Sequence, residues 1–141
     1  MIKKRLLRAL IIASVSFFIF TSVIMPYRMD SDSGVGIAGF TFVDRVTYRF
    51  RTPVVGDQIV AKILSKNVAF VGEVIAGPGD TIQTKNETLY INDIKFENIP
   101  LQVLYQKPKT LKSNQYLVQM ITEPYNVLGV IDQKSIIGKL F

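Results

Sequence analysis

The sequence predicts an all-β domain, of barrel or sandwich type, carried by one N-terminal transmembrane helix. Residues 9 to 25, ALIIASVSFFIFTSVIM, contain no charge, proline or glycine. Beyond residue 39 the chain breaks into short runs rich in Val, Ile, Tyr, Phe and Thr, separated by Gly, Pro, Asn and Asp. No long helical period appears after residue 26.

Counted from Leu6, the apolar stretch is 20 residues long, with Arg8 near its edge able to snorkel. That length spans the hydrocarbon core of a bilayer. Backbone groups in lipid must be paired within the segment, so a helix is expected. Of the 17 basic residues, Lys3, Lys4, Arg5 and Arg8 precede the run, and no acidic residue occurs before Asp30. Basic residues at one flank hold that flank in the cytoplasm. The expectation is a single-pass protein of the cell membrane, with residues 1–8 cytoplasmic, 9–25 spanning and the domain extracytoplasmic. A cleaved secretory leader would want small residues in an A-x-A pattern, and Ser22-Val23-Ile24-Met25-Pro26 has none. Pro26 is expected to end the helix.

Residues 26–39, PYRMDSDSGVGIAG, are polar and glycine-rich and read as a linker. The β domain is expected over 40–141, about 100 residues, which suits one small domain. Candidate strands are 40–46, 58–64, 67–76, 81–84, 88–91, 101–105, 116–121 and 135–141. Breakers at Thr52-Pro53, Gly56-Asp57 and Pro78-Gly79-Asp80 separate them. Leu89-Tyr90-Ile91 is expected to turn at Asn92-Asp93 into Ile94-Lys95-Phe96 as a hairpin. Phe40, Phe42, Tyr48 and Phe50 fit either core packing or contact with a membrane surface.

Composition excludes several functions. With the four N-terminal cations set aside, 13 basic residues face 11 acidic ones. A nucleic-acid binder would carry its basic excess in the folded part, so no nucleic-acid partner is expected. The chain has no cysteine and no histidine. That removes disulfides, thiol chemistry and every mechanism with an imidazole base, and argues against a zinc site. No cofactor or metal motif is present.

Three motifs follow in order: Pro53-Val54-Val55-Gly56-Asp57-Gln58-Ile59-Val60; Val71-Gly72-Glu73-Val74-Ile75-Ala76-Gly77-Pro78-Gly79-Asp80-Thr81-Ile82 with Leu89-Tyr90-Ile91-Asn92-Asp93; and Leu128-Gly129-Val130 with Ile136-Ile137-Gly138-Lys139. Taken together over residues 40 to 141, they resemble type I signal peptidase. That family carries a G-D-x-hydrophobic-V strand, a K-R-V-I-G-x-P-G-D block, an I-N-G hairpin and a late I-x-G-K. The resemblance implies a signal-peptidase-like β domain and a membrane-anchored serine protease that removes leader peptides. The turn residues Gly56, Pro78 and Gly79 would shape turns in any β protein.

The resemblance fails where the family's chemistry lies. A serine hydroxyl needs a base to take its proton, and in this family the base is a lysine of depressed pKa. Its position in the second block is Gly72, and the arginine that follows it is Glu73. The nucleophile motif S-M-x-P-T falls in Met29-Asp30-Ser31-Asp32-Ser33-Gly34, which has no S-M-x-P. Spacing from Gly56-Asp57 aligns the nucleophile near Asp32, and spacing from Phe42-Val43 aligns it near Asp30. Ser31 and Ser33 are the fallback nucleophiles. The loop G-D-N-R…S-x-D-S-R is replaced by Met120-Ile121-Thr122-Glu123-Pro124-Tyr125-Asn126.

These three departures lead to the expectation of an inactive relative that binds an extended peptide or a secreted or pilin protein and assists pilus assembly or export. Catalytically inactive relatives of this family occur in Gram-positive pilus gene clusters. One alternative is an active peptidase using Ser31 or Ser33 with a relocated base, for which Lys62, Lys66 and Glu73 are the candidates. The other is a membrane-tethered structural β domain. The sequence does not indicate an oligomeric state.

Overall fold

The computed structural model describes residues 2–28, 40–63, 68–96, 107–122 and 125–141. It opens with helix α1, Ile2–Val23. Among the described residues, the apolar side chains of α1 before Val23 are exposed, with Phe17 and Phe18 71% and 72% exposed. Three of its hydroxyls bond back to helix carbonyls: Ser14 to Ile11 O at 3.0 Å, Thr21 to Phe17 O at 3.0 Å and Ser22 to Phe18 O at 2.7 Å. Such bonds satisfy polar groups inside the helix itself, as an apolar medium requires.

The helix ends at Val23, and Pro26 lies three residues beyond it. Ile24–Arg28 forms strand β1, so the expected linker over 26–39 begins with strand. β1 pairs antiparallel with β2, Phe40–Asp44, from Ile24↔Asp44 to Arg28↔Phe40. A proline lacks the donor for a ladder bond and is tolerated on a sheet edge, and β1 is an edge strand. The polar composition after residue 28 hid this strand, because its partner lies beyond that segment.

Asp44 then turns the chain. Its Oδ1 accepts the backbone N–H of Val46 (2.8 Å) and of Thr47 (3.0 Å), and its Oδ2 accepts the Thr47 hydroxyl. The one-turn helix α2, Thr47–Phe50, follows. The strand expected over 40–46 therefore stops at Asp44.

The remaining strands are β3 (Gln58–Ile63), β4 (Val68–Ala76), β5 (Thr81–Lys85), β6 (Thr88–Ile91), β7 (Ile94–Phe96), β8 (Lys109–Thr110), β9 (Gln115–Thr122), β10 (Tyr125–Asp132) and β11 (Ile136–Leu140). Among the described residues they form two antiparallel sheets, β1-β2-β11-β3-β4-β9-β10 and β7-β6-β5-β8. The domain is all-β, as the sequence predicts. The expected strand over 101–105 lies outside the described residues.

Period-2 alternation explains the small sheet. In β5, Ile82 and Thr84 are buried while their neighbours are half-buried or exposed. β3 differs: Ile59, Val60 and Ala61 are buried in succession. Both faces of this central strand are covered. Ile59 and Ala61 join Phe70, Val74, Tyr116 and Val118 on one side. Val60 joins Val43 and Val71 on the other. A third cluster, with Ile75, Ile82, Leu89, Leu117 and Leu128, binds the two sheets together.

Candidate functional site

The lysine position of the resemblance sits in mid-sheet. β4 lies between β3 and β9, and Gly72 pairs with Ile59 on one side and Met120 on the other. A Cβ at residue 72 would overlap the Val118 Cγ1 methyl and lie 2.9 Å from the Gln119 carbonyl oxygen. The space a side chain would need is thus filled by β9. Side chains alternate along a strand, so the direction of a residue-72 side chain is that of Ile59, toward the Val74 and Val118 cluster.

The substitute bases face elsewhere. Lys62 pairs with Ala69, three residues along β3 from Ile59. That odd offset puts it on the opposite face from Gly72. Glu73 also projects from that opposite face, between Gln58 and Gln119 in the ladder. The structure therefore brings neither Lys62 nor Glu73 to the position the lysine would occupy. Asp30, Ser31, Asp32, Ser33 and Lys66 lie outside the described residues, so no nucleophile position is placed.

Within Met120–Asn126, the described residues, 120–122 and 125–126, are strand. β9 and β10 pair through Thr122↔Tyr125, with two residues between them. β10 carries Leu128-Gly129-Val130, so this third motif belongs to a long hairpin that the sequence reading did not identify as strand on its second arm. Its partner is sequence-adjacent, but Gly129 and Asn126 weaken the local β signal.

An electrostatic cluster around Asp57 was missed from sequence. Asp57, of the Gly56-Asp57 motif, is 6% exposed. Its Oδ2 accepts the Tyr48 hydroxyl at 3.0 Å, Arg51 Nη1 at 2.9 Å and the Val54 N–H at 3.1 Å. Its Oδ1 accepts Arg51 Nη2 at 3.1 Å and faces Lys139 Nζ at 3.2 Å. Burial opposes ionisation here, but Arg51, the Val54 N–H, Tyr48 and Lys139 together outweigh it and hold the carboxyl well below its ordinary range. Burial first, and then the bond to Asp57, push the Tyr48 phenol up. The Arg51 guanidinium also lies over the Tyr48 ring, 5.4 Å from its centre. The cluster ties α2, the turn before β3 and β11 into one corner. Both Gly56-Asp57 and Gly138-Lys139 stood out as motifs; nothing local in either one signals that they meet.

The second block makes a comparable clamp. Asp80 Oδ2 accepts the Gly77 N–H at 2.7 Å, and its Oδ1 accepts Asn92 Nδ2 at 2.7 Å. Asn92 Oδ1 in turn accepts the Thr81 N–H at 2.9 Å. Pro78-Gly79-Asp80 and the expected Asn92-Asp93 hairpin turn are therefore one structural unit. Chemically it orders two turns and offers no reacting group.

Comparison with known proteins identifies a family. The family described as "Signal peptidase, peptidase S26" matches residues 2–135. A signal peptidase I from Bacillus licheniformis is 31% identical over 101 residues, covering 59% of this chain and 54% of that protein. The chain thus spans about half the length of this curated relative. A crystal structure of a signal peptidase I from Enterococcus faecalis V583 is similar with a TM-score of 0.46 at 20% identity, over 64% of this chain and 98% of that one. With the family match running through helix α1, the first two motif blocks and Leu128-Gly129-Val130, and ending just before β11, the chain belongs to the signal peptidase, peptidase S26, family.

Proposed function

We propose that this family member does not cleave peptides and instead binds an extended segment of a secreted protein, in the assembly of pili or in export. What supports this reading is the geometry at Gly72. An active member places a proton-accepting amine there. Here there is no side chain, and the adjoining strand occupies the volume one would need. Lys62 and Glu73 point away, and the chain has no histidine to replace them. Loss of the base in a serine peptidase costs on the order of 10⁴-fold or more in kcat. The scaffold around the position is kept, and extended peptides bind such sheets by adding a strand at an edge. The resemblance to inactive relatives in Gram-positive pilus clusters makes a pilin the preferred partner.

The test is genetic complementation paired with an assay. The full chain, solubilised in detergent, should give no turnover of leader-peptide substrates. In its host, deletion should impair assembly of the secreted partner, and a chain carrying both Ser31→Ala and Ser33→Ala should restore it fully. Turnover that disappears in either serine variant would overturn the proposal, as would failure of the double variant to complement.

A further inference from the structure

Helix α1 is followed directly by strand β1. Val23 O, at the end of α1, accepts the Arg45 N–H at 3.3 Å, and β1 pairs with β2 from the next residue onward. At this junction lie three shallow, connected cavities. One, of about 300 Å³, is walled by Phe20, Ile24, Phe42 and Phe141. A second, of about 490 Å³, shares Phe141 and adds Leu140, Asp44, Thr47, Arg51 and Lys139. A third, of about 430 Å³, shares Asp44, Thr47 and Arg51 with the second and reaches Val23.

The cavities differ in chemistry in a consistent order. The first is wholly apolar and lies against the last turn of α1. Phe42 and Phe141 are 55% and 73% exposed there, although aromatic rings beside an apolar helix should be covered. The second holds two cations, each 38% exposed. Its carboxylates are consumed internally. Asp44 is taken by Val46 and Thr47, and Asp57, behind the cleft, by Tyr48, Val54, Arg51 and Lys139. An ammonium has three donors. Among the described residues Lys139 directs one to Asp57, which leaves donors for an anion in the cleft. Arg45 and Arg49, both exposed, flank it on the same short segment.

We propose that this junction holds one membrane phospholipid. Its anionic headgroup phosphate sits between Lys139 and Arg51, and one acyl chain lies along Phe20, Ile24, Phe42 and Phe141. The proposal rests on α1 crossing a bilayer, which fractionation of the full chain with membranes checks separately, and it is independent of whether the chain cleaves peptides. A depth argument favours lipid as the occupant. Phe20 is one turn from the end of a helix whose apolar run matches the hydrocarbon thickness. The apolar cavity therefore lies at the hydrocarbon edge and the cationic one at headgroup level. Charge-assisted bonds to phosphate are the strong class of hydrogen bond, and cations near anionic lipid add to them.

The test uses the full chain in detergent and native mass spectrometry with added phosphatidylglycerol, diacylglycerol or glycerol phosphate. Phosphatidylglycerol should be retained at least about tenfold better than either of the others, since each lacks one half of the site; tenfold corresponds to about 1.4 kcal/mol. Lys139→Gln and Phe42→Ser should each lower retention severalfold, Lys139→Arg should keep it, and Ile94→Ser, exposed on the small sheet, should leave it unchanged. Phe42 and Phe141 are exposed, so Phe42→Ser and Phe141→Ser carry the test even where Lys139→Gln disturbs the fold. Equal retention of phosphatidylglycerol by wild type and the Phe42→Ser and Phe141→Ser variants would overturn the proposal. So would binding of glycerol phosphate as tightly as the lipid.

Discussion

Under the proposed reading, Gly72 acts in two ways. It offers no proton acceptor, and β9 approaches so closely that a Cβ there would overlap Val118 and crowd the Gln119 carbonyl. In a strand interior a Gly→Ala change ordinarily stabilises by about 0.5–1 kcal/mol, because glycine has the greater freedom to lose. At residue 72 the sign should reverse. Gly72→Ala must push Val118 and the Gln119 carbonyl aside, and overpacking of this kind costs about 1–3 kcal/mol. Gly72→Lys should cost more and still give no turnover. Urea unfolding of the detergent-solubilised chain measures this, and a Gly72→Ala variant as stable as wild type would show that β9 is not pressed against the site. That residue 72 carries no side chain was legible in the sequence. That the space for one is occupied was not, because Val118 and Gln119 come from a strand more than forty residues away.

At the scale of elements, local chemistry decided what was readable. The Asn92-Asp93 hairpin was legible because both turn residues take positive φ, 51° and 63°, which Asn and Asp tolerate. The β5–β6 connection uses the same device at Asn86 and Glu87, with φ 46° and 61°, between the paired Lys85 and Thr88. Glutamate is poorly suited to that conformation. Glu87→Gly should therefore stabilise the fold by about 0.5–1 kcal/mol, read as a raised urea midpoint at unchanged slope. A lowered midpoint would mean that the Glu87 side chain holds the hairpin by a contact that outweighs its backbone cost. The strands missed were β1, β10 and the two-residue β8, and the one-turn helix α2 was missed as well. β1 has proline at its centre, and β10 has glycine in its middle, so neither run announces itself. Each is strand because a partner supplies its ladder.

Across the whole molecule, the Asp57 corner couples stability to pH. The carboxyl's ordinary value is 3.8 and its folded value is lower. A group shifted down stabilises the fold above its unfolded value, and that contribution is lost as pH falls through the folded value. Stability should therefore decline below about pH 4. Asp57→Asn keeps the shape and removes the charge, leaving Arg51 and Lys139 facing each other. Both are 38% exposed, so water screens part of the loss, and we expect about 2 kcal/mol at pH 7 instead of the roughly 3–5 of a fully buried pair. The variant should lose less than wild type between pH 7 and pH 3; parallel acid profiles for the two would sink the assignment. The sequence by itself determined the apolar helix with its basic flank, the β character of the domain, the turns and the family, since each is written in residues close together along the chain. Only the tertiary structure decided that Asp57 meets Lys139, that β9 fills the place of a side chain at Gly72, and that α1 leads directly into an edge strand of the sheet. Those depend on which strands lie side by side, and strand pairing is set by burial and register over the whole domain instead of by neighbours in sequence.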